Sequence, residues 1–154
     1  LVEAMKELPS LKLFLCGNSS SKYADKIKAL ITKHKLGKRV VITGEVSEAE
    51  KNWMFESCKA FVFPSLNEGF GLPVVEAMHF GKPVVLSKLT SLPEIGGKEA
   101  VYLDNFLPDE IASKIQFAIQ SHTSEQQKSL KKRASFFSWQ KAAEQYLEMY
   151  SALL

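Results

Sequence analysis

Two glutamates, Glu68 and Glu76, stand eight positions apart in the stretch PSLNEGFGLPVVEAM (64–78), with Gly69 and Gly71 between them and Pro73 just after. Of all the residues in the chain, these have the types and spacing best suited to chemistry. Glycines let a backbone approach a ligand closely and accept positive φ. Pro73 fits the first turn of a helix. A helix start offers unpaired N–H groups and a partial positive charge, which suit phosphate. A carboxylate would repel phosphate, so Glu68 suits donors such as hydroxyls. Glu76 falls about one turn into the helix, where it serves either hydroxyls or simply the helix dipole. A ligand with a diphosphate flanked by hydroxyls at both ends, such as a nucleotide sugar, would use all of these parts. An ordinary strand-to-helix turn accounts for the same residues and stays open at this level. The dinucleotide pattern G-x-G-x-x-G is not met, because Val74 occupies the third glycine's place.

The elements that must position this loop alternate along the chain. LKLFLC (11–16), RVVIT (39–43), AFVFP (60–64), PVVLS (83–87) and AVYLD (100–104) are short apolar runs expected to be strands. AFVFP, continuously apolar, is expected to be buried on both faces. Between the first two, residues 21–36 carry Ala24, Ile27, Leu30 and Ile31 at helical spacing, and Gly37 is expected to end that helix. Ser47 with Glu50 forms a capping box for a helix through Ser57. A helix from Pro73 to about Phe80 follows the glutamate loop. Three more complete the chain: 109–121, 124–134 behind a Thr123/Gln126 capping box, and 139–152 capped by Ser138. Alternating strands and helices predict an α/β fold, a doubly wound Rossmann-like parallel sheet with helices on both faces. Ligands of such sheets sit beyond the carboxyl ends of the strands. The loops to watch therefore begin at Gly17, at Gly44 and after Pro64.

Composition excludes several classes. The 154 residues suit one domain, 1–154, and carry a net charge of only +3, which argues against nucleic acid. The basic run KSLKKRA (128–134) is read as a solvated helix face. Nothing approaches the roughly 18 apolar residues of a membrane span. Cys16 and Cys58 are read as reduced, buried or half-buried small hydrophobes, and a cytoplasmic location follows. His34, His79 and His122 are isolated, so no metal or other cofactor is expected. Trp53 and Trp139 are read as packing residues.

The segment PSLNEGFGLPVVEAMHFGKPVVLSKLTSLPEIGG resembles the donor-binding, C-terminal half of family-four retaining glycosyltransferases of the GT-B fold. Two glutamates separated by seven residues are a signature of that family, and Glu68 and Glu76 match it. The likeness extends through VITGEVSEAE and FSWQKAAEQYLEMY. It implies that Glu68 is the catalytic-site carboxylate that meets donor-sugar hydroxyls near the anomeric carbon. By the same resemblance Gly69, Phe70, Gly71 and Leu72 would hold diphosphate and sugar, and Glu76 would accept both ribose hydroxyls. Gly17 and the turn Gly44–Glu45–Val46 would flank base and phosphates. The implied partners are a nucleotide-sugar donor and a glycan, lipid or polysaccharide acceptor, with peripheral membrane contact left open.

One departure from the family matters. Its donor half opens with a strand and loop carrying an arginine and a lysine that neutralise the leaving diphosphate, and this sequence begins beyond them, at LVEAMKELP, expected to be the first helix. Lys22 and Lys88 are substitute cations that nothing in the sequence places at the phosphates. The resemblance thus implies a hexosyltransferase donor domain lacking its first strand and inactive alone. A nucleotide-sugar epimerase or a phosphorylase fits less well, and a degenerate, non-catalytic partner domain is the alternative. Without a central strand, LKLFLC and AFVFP would either pair directly or leave an open slot.

Overall fold

The computed structural model describes residues 1–153. Its five strands coincide with the five apolar runs: β1 (Leu13–Cys16), β2 (Val40–Gly44), β3 (Phe61–Phe63), β4 (Val84–Ser87) and β5 (Val101–Leu103). The helices are α1 (Lys22–Lys33), α2 (Glu48–Ser57), α3 (Leu72–His79), α4 (Leu92–Gly96), α5 (Pro108–Gln120), α6 (Ser124–Ala134) and α7 (Trp139–Ser151). Both capping boxes form, at Ser47/Glu50 and Thr123/Gln126.

Three expectations are corrected. LVEAMKELP makes no α-helix. It forms one 3-10 turn, Glu3–Lys6, whose Ala4 and Met5 are buried with Val2 and Leu8. Arg39 anchors this turn by donating to the Met5 and Leu8 carbonyls at 2.7 and 2.8 Å. Next, α1 stops before Gly37. Lys35 takes φ 56°, and the amides of Lys35 and Leu36 close back on Thr32 and Ile31, so a lysine does what glycine usually does at a helix end. Separately, α4 and the 3-10 turn Gly97–Glu99 occupy a stretch to which the sequence pattern assigned no element. Finally, β3 is only half-buried, while all four residues of β4 are buried.

That last difference follows from topology. Every strand pair is parallel, but the strands form two ladders, β1–β2 and β3–β4–β5, and β1 and β3 are not hydrogen-bonded to each other. Direct pairing of LKLFLC with AFVFP is therefore not what the chain adopts, and β3 is an edge strand. Two apolar clusters straddle this arrangement. One joins the N-terminal turn, β2 and α5 to Val85 and Leu103, with β1 and α1 packed against it. The other joins α2, α3, α4 and α6 to Val84 and Leu86. β4 feeds both and is the spine of the domain.

Candidate functional site

The glutamate loop leaves β3 at Pro64 and ends at Gly71, the residue that caps α3. Gly71 has φ 108° and ψ 45°, and a β-carbon there would meet Leu92 Cδ2 at 3.0 Å, so glycine is required on two counts. Gly69 differs. Its backbone is not left-handed, and a β-carbon there would meet nothing within 4 Å, so it borders open space. The expectation that both glycines serve positive φ holds for Gly71 alone.

Hydroxyls from the neighbouring strand and the turn after it hold this loop from behind. Ser87, fully buried at the end of β4, donates to the Ser65 carbonyl at 2.5 Å. The Glu68 amide donates to Thr90 Oγ1 at 3.2 Å, and Thr90 itself sits at φ 54°. The Ser91 hydroxyl is shared between the carbonyls of Phe70 at 2.7 Å and Glu68 at 3.3 Å. All four hydrogen bonds go to backbone. The Glu68 carboxylate makes no hydrogen bond or ion pair among the described residues and is free to meet a ligand.

Glu76 is held differently. It is the fifth residue of α3, past the first turn, which corrects the simple dipole reading. Its Oε1 lies 3.0 Å from Lys51 Nζ, and Lys51 also reaches Glu48 at 3.0 Å. The hydrogen bond to Glu76, followed by that to Glu48, holds the Lys51 ammonium above its ordinary pKa. Since α2 begins directly after the Gly44–Glu45–Val46 turn, the Lys51–Glu76 pair ties that turn's helix to α3. Gly17 lies beside the same turn, its amide donating to the Gly44 carbonyl at 2.9 Å, and both glycines take positive φ, 132° and 76°.

The structure thus forms two groups: Glu68 to Leu72 against Thr90 and Ser91, and Glu76 with Lys51 next to the Gly17 and Gly44 turns. Lys88 belongs to neither. It pairs with Asp104, which also takes Lys114 at 2.9 Å, and these hydrogen bonds, Lys88 first, hold the Asp104 carboxyl down to about 2. Lys22 is exposed at the start of α1. Among the described residues no cluster of three or more His, Cys, Asp or Glu could hold a metal ion, and no helix is long and apolar enough to cross a membrane.

Several other readings are corrected. Trp53 and Trp139 are 61% and 82% exposed, so neither is a packing residue. Cys16 is exposed, its thiol 3.4 Å from Met54 Sδ, while Cys58 is half-buried as expected. The basic run of α6 is solvated except for Arg133, which donates to the carbonyls of Ile95 at 3.1 Å and Glu94 and lies over the Phe137 ring. Phe137 in turn meets Phe70 edge-on at 5.7 Å. Lys51, Thr90 and Ser91 escaped the sequence reading, and Arg133 entered it only as part of the basic run. Thr90 and Ser91 lie in the segment that resembles the family, but no role came with them.

Comparison with known proteins gives this geometry its context. The family model for glycosyl transferases group 1 matches residues 1–135. O-antigen chain mannosyltransferase B of Escherichia coli is 34% identical over 112 residues, covering 71% of this chain and 29% of that protein. Sucrose-phosphate synthase from Thermosynechococcus elongatus superposes with a TM-score of 0.87 at 25% identity, over 99% of this chain and 41% of that one. The Anabaena protein HepE, solved with UDP and glucose, superposes at 0.81 and 23% identity, over 98% of this chain and 43% of that one. The chain spans less than half the length of each of these proteins. The fold is the Rossmann-like half of the GT-B architecture, and the chain belongs to the glycosyl transferases group 1 family.

Proposed function

We propose that this domain is the donor-binding half of a retaining glycosyltransferase that moves a hexose from a nucleotide sugar to a glycan, lipid or polysaccharide acceptor, without a metal or other cofactor. The observation that carries the reading is the Glu68 loop: backbone pinned by Thr90 and Ser91, carboxylate uncommitted. A group meant to stabilise a fold is engaged, whereas one meant for a ligand is held in place and left free. Glu68 takes hydroxyls of the donor sugar close to the anomeric carbon. The backbone from Gly69 to Leu72 holds the diphosphate and sugar at the start of α3, and the open space around Gly69 fits a ligand in contact with main chain. Glu76 accepts the ribose hydroxyls. Gly17 and Gly44, Glu45 and Val46 border the base and phosphates. Charge on the leaving diphosphate needs a cation, and Lys88 could supply one only by giving up Asp104. Catalysis therefore belongs to the full-length protein.

The test is transfer by the full-length gene product from UDP-, GDP- and ADP-linked glucose and mannose to glycan and lipid-linked acceptors, with NMR reading the anomeric configuration of the product. Retention, with Glu68→Ala abolishing transfer but leaving nucleoside-diphosphate affinity within about twofold, is expected of a residue that acts mainly in the transition state. Normal turnover by Glu68→Ala would sink the assignment. Binding without transfer to any acceptor would favour the non-catalytic partner domain.

A further inference from the structure

The pair Lys51–Glu76 joins residues 25 positions apart, on two helices that flank different loops of the site. We propose that Lys51 is a positioning residue for nucleotide recognition, holding the Glu76 carboxylate in the orientation that receives the ribose hydroxyls. The inference rests on the ribose reading of Glu76 given above.

Three observations carry it. First, the contact is one-sided. Lys51 Nζ meets Oε1 of Glu76, and Oε2 makes no hydrogen bond or ion pair among the described residues, so one carboxylate oxygen is held and the other stays available. A free glutamate side chain samples many orientations about its last torsion, and a held one has met that ordering cost before the ligand arrives. Second, the lysine's helix is capped and anchored at one aromatic side chain. α2 is capped by the Ser47/Glu50 box, and its Phe55 stacks on Phe80 at 5.8 Å, directly behind α3, and meets Phe61 edge-on at 5.4 Å. The Lys51 stem therefore starts from a helix joined through Phe55 to the residue that ends α3. Third, stability of α2 does not explain the residue. Lys51 is the fourth residue of the helix, near the end where positive charge gains nothing from the dipole. Both side chains of the pair are partly exposed, 29% and 38%, and such a pair contributes little to folding. What it does supply is a link from the helix behind the Gly44–Val46 turn to the carboxylate on α3.

Calorimetric titration of the full-length protein tests this with UDP, GDP and ADP, each against its 2′,3′-dideoxy form, which lacks the hydroxyls. For the nucleotide the wild type binds best, the ratio of the two affinities measures ribose recognition. Lys51→Met should lower ribonucleotide affinity about five- to tenfold, leave the dideoxy form unchanged and melt within about 3 °C of wild type. Lys51→Arg should restore most of the loss, and Glu48→Gln, at the lysine's exposed second contact, should change nothing. On a Glu76→Gln background, Lys51→Met should add no further loss. Equal losses for both nucleotide forms, or a Lys51→Met that fails to fold, would overturn the proposal, because the lysine would then serve the phosphates or the fold. If Glu76→Gln collapses the ratio and Lys51→Met does not, the positioning role alone is wrong. If Glu76→Gln leaves the ratio intact, the ribose reading of Glu76 fails, and the role of Lys51 with it.

Discussion

Gly69 and Gly71 look equivalent in the sequence and should respond oppositely to the same substitution. In Gly71→Ala the new β-carbon sits at φ 108°, ψ 45°, a conformation that costs a non-glycine residue about 1–3 kcal/mol. It also stands 3.0 Å from Cδ2 of Leu92, which is fully buried and can move only by disturbing the cluster around it, adding about 1 kcal/mol. The sum is about 2–4 kcal/mol. For a chain of this size each kcal/mol moves Tm by about 2–4 °C, so the domain's transition should fall by about 5–15 °C. In Gly69→Ala the backbone is unstrained and nothing lies within 4 Å, so stability should hold within about 0.5 kcal/mol. The methyl group would, however, occupy the space where the donor is proposed to meet main chain, and nucleotide-sugar affinity should fall about tenfold. Scanning calorimetry of both variants, paired with donor titration, reads the two effects separately. A Gly71→Ala protein that melts with wild type would refute the strain argument. Equal loss of stability in both variants would refute the claim that Gly69 borders open space.

Glu76→Gln should weaken nucleoside-diphosphate binding by about 1.5–3 kcal/mol, the range for a hydrogen bond to a charged group, and equal affinity of mutant and wild type would remove the ribose assignment. Ser91→Ala takes away the hydroxyl shared by the Phe70 and Glu68 carbonyls and should cost about 0.5–1.5 kcal/mol of stability; kcat/KM of the full-length enzyme should fall about tenfold because Glu68 loses its backing, and an unchanged kcat/KM would count against that. Arg133→Lys should lose about 1–2 kcal/mol by chemical denaturation, since an ammonium cannot fork to the carbonyls of Ile95 and Glu94 as a guanidinium does. Asp104→Asn tests the Lys88 and Lys114 pairs by acid titration. The folded carboxyl value, about 2, lies below the ordinary 3.8, so the pairs stabilise the fold above that window and their contribution is lost as pH falls through it. The gap in stability between wild type and Asp104→Asn should therefore narrow progressively on acidification from about pH 5 down through pH 2, and a gap as wide at pH 2 as at pH 5 would contradict the assignment.

The local parts of the fold were readable because their causes are local. Five apolar runs and two capping boxes lie within a few residues of each other in the chain, and each formed where its pattern stood. The errors arose where a distant contact decided the outcome. SLPEIGG, with one proline and two glycines in seven residues, drew no helix from the sequence pattern, yet Leu92 and Ile95 are buried against β4 and Arg133 closes over the carbonyls of Glu94 and Ile95, so a short helix forms. Gly37 looked like the stop of α1, but Leu36 is drawn into the core and pulls the chain round two residues earlier, at Lys35. Trp53 and Trp139 were assigned to packing by residue type alone, and no periodicity could have said that α7 would present no buried residue.

The site shows the same division, and it explains the spacing of the two glutamates. A loop and a helix are different mounts. Glu68, proposed to meet the donor sugar, rides on irregular backbone whose position is set by a second strand's end and the turn after it, through Ser87, Thr90 and Ser91. Glu76, proposed to receive the ribose, rides on α3, whose Val74, Val75, Ala77 and Met78 are all buried. Eight positions take the chain from the free loop, through the left-handed turn at Gly71, to the second turn of the helix. The sequence carries that spacing openly. The hydroxyls behind the loop and the lysine beside the helix come from segments some 21 to 25 positions away, and only folding brings them to the loop and to Glu76.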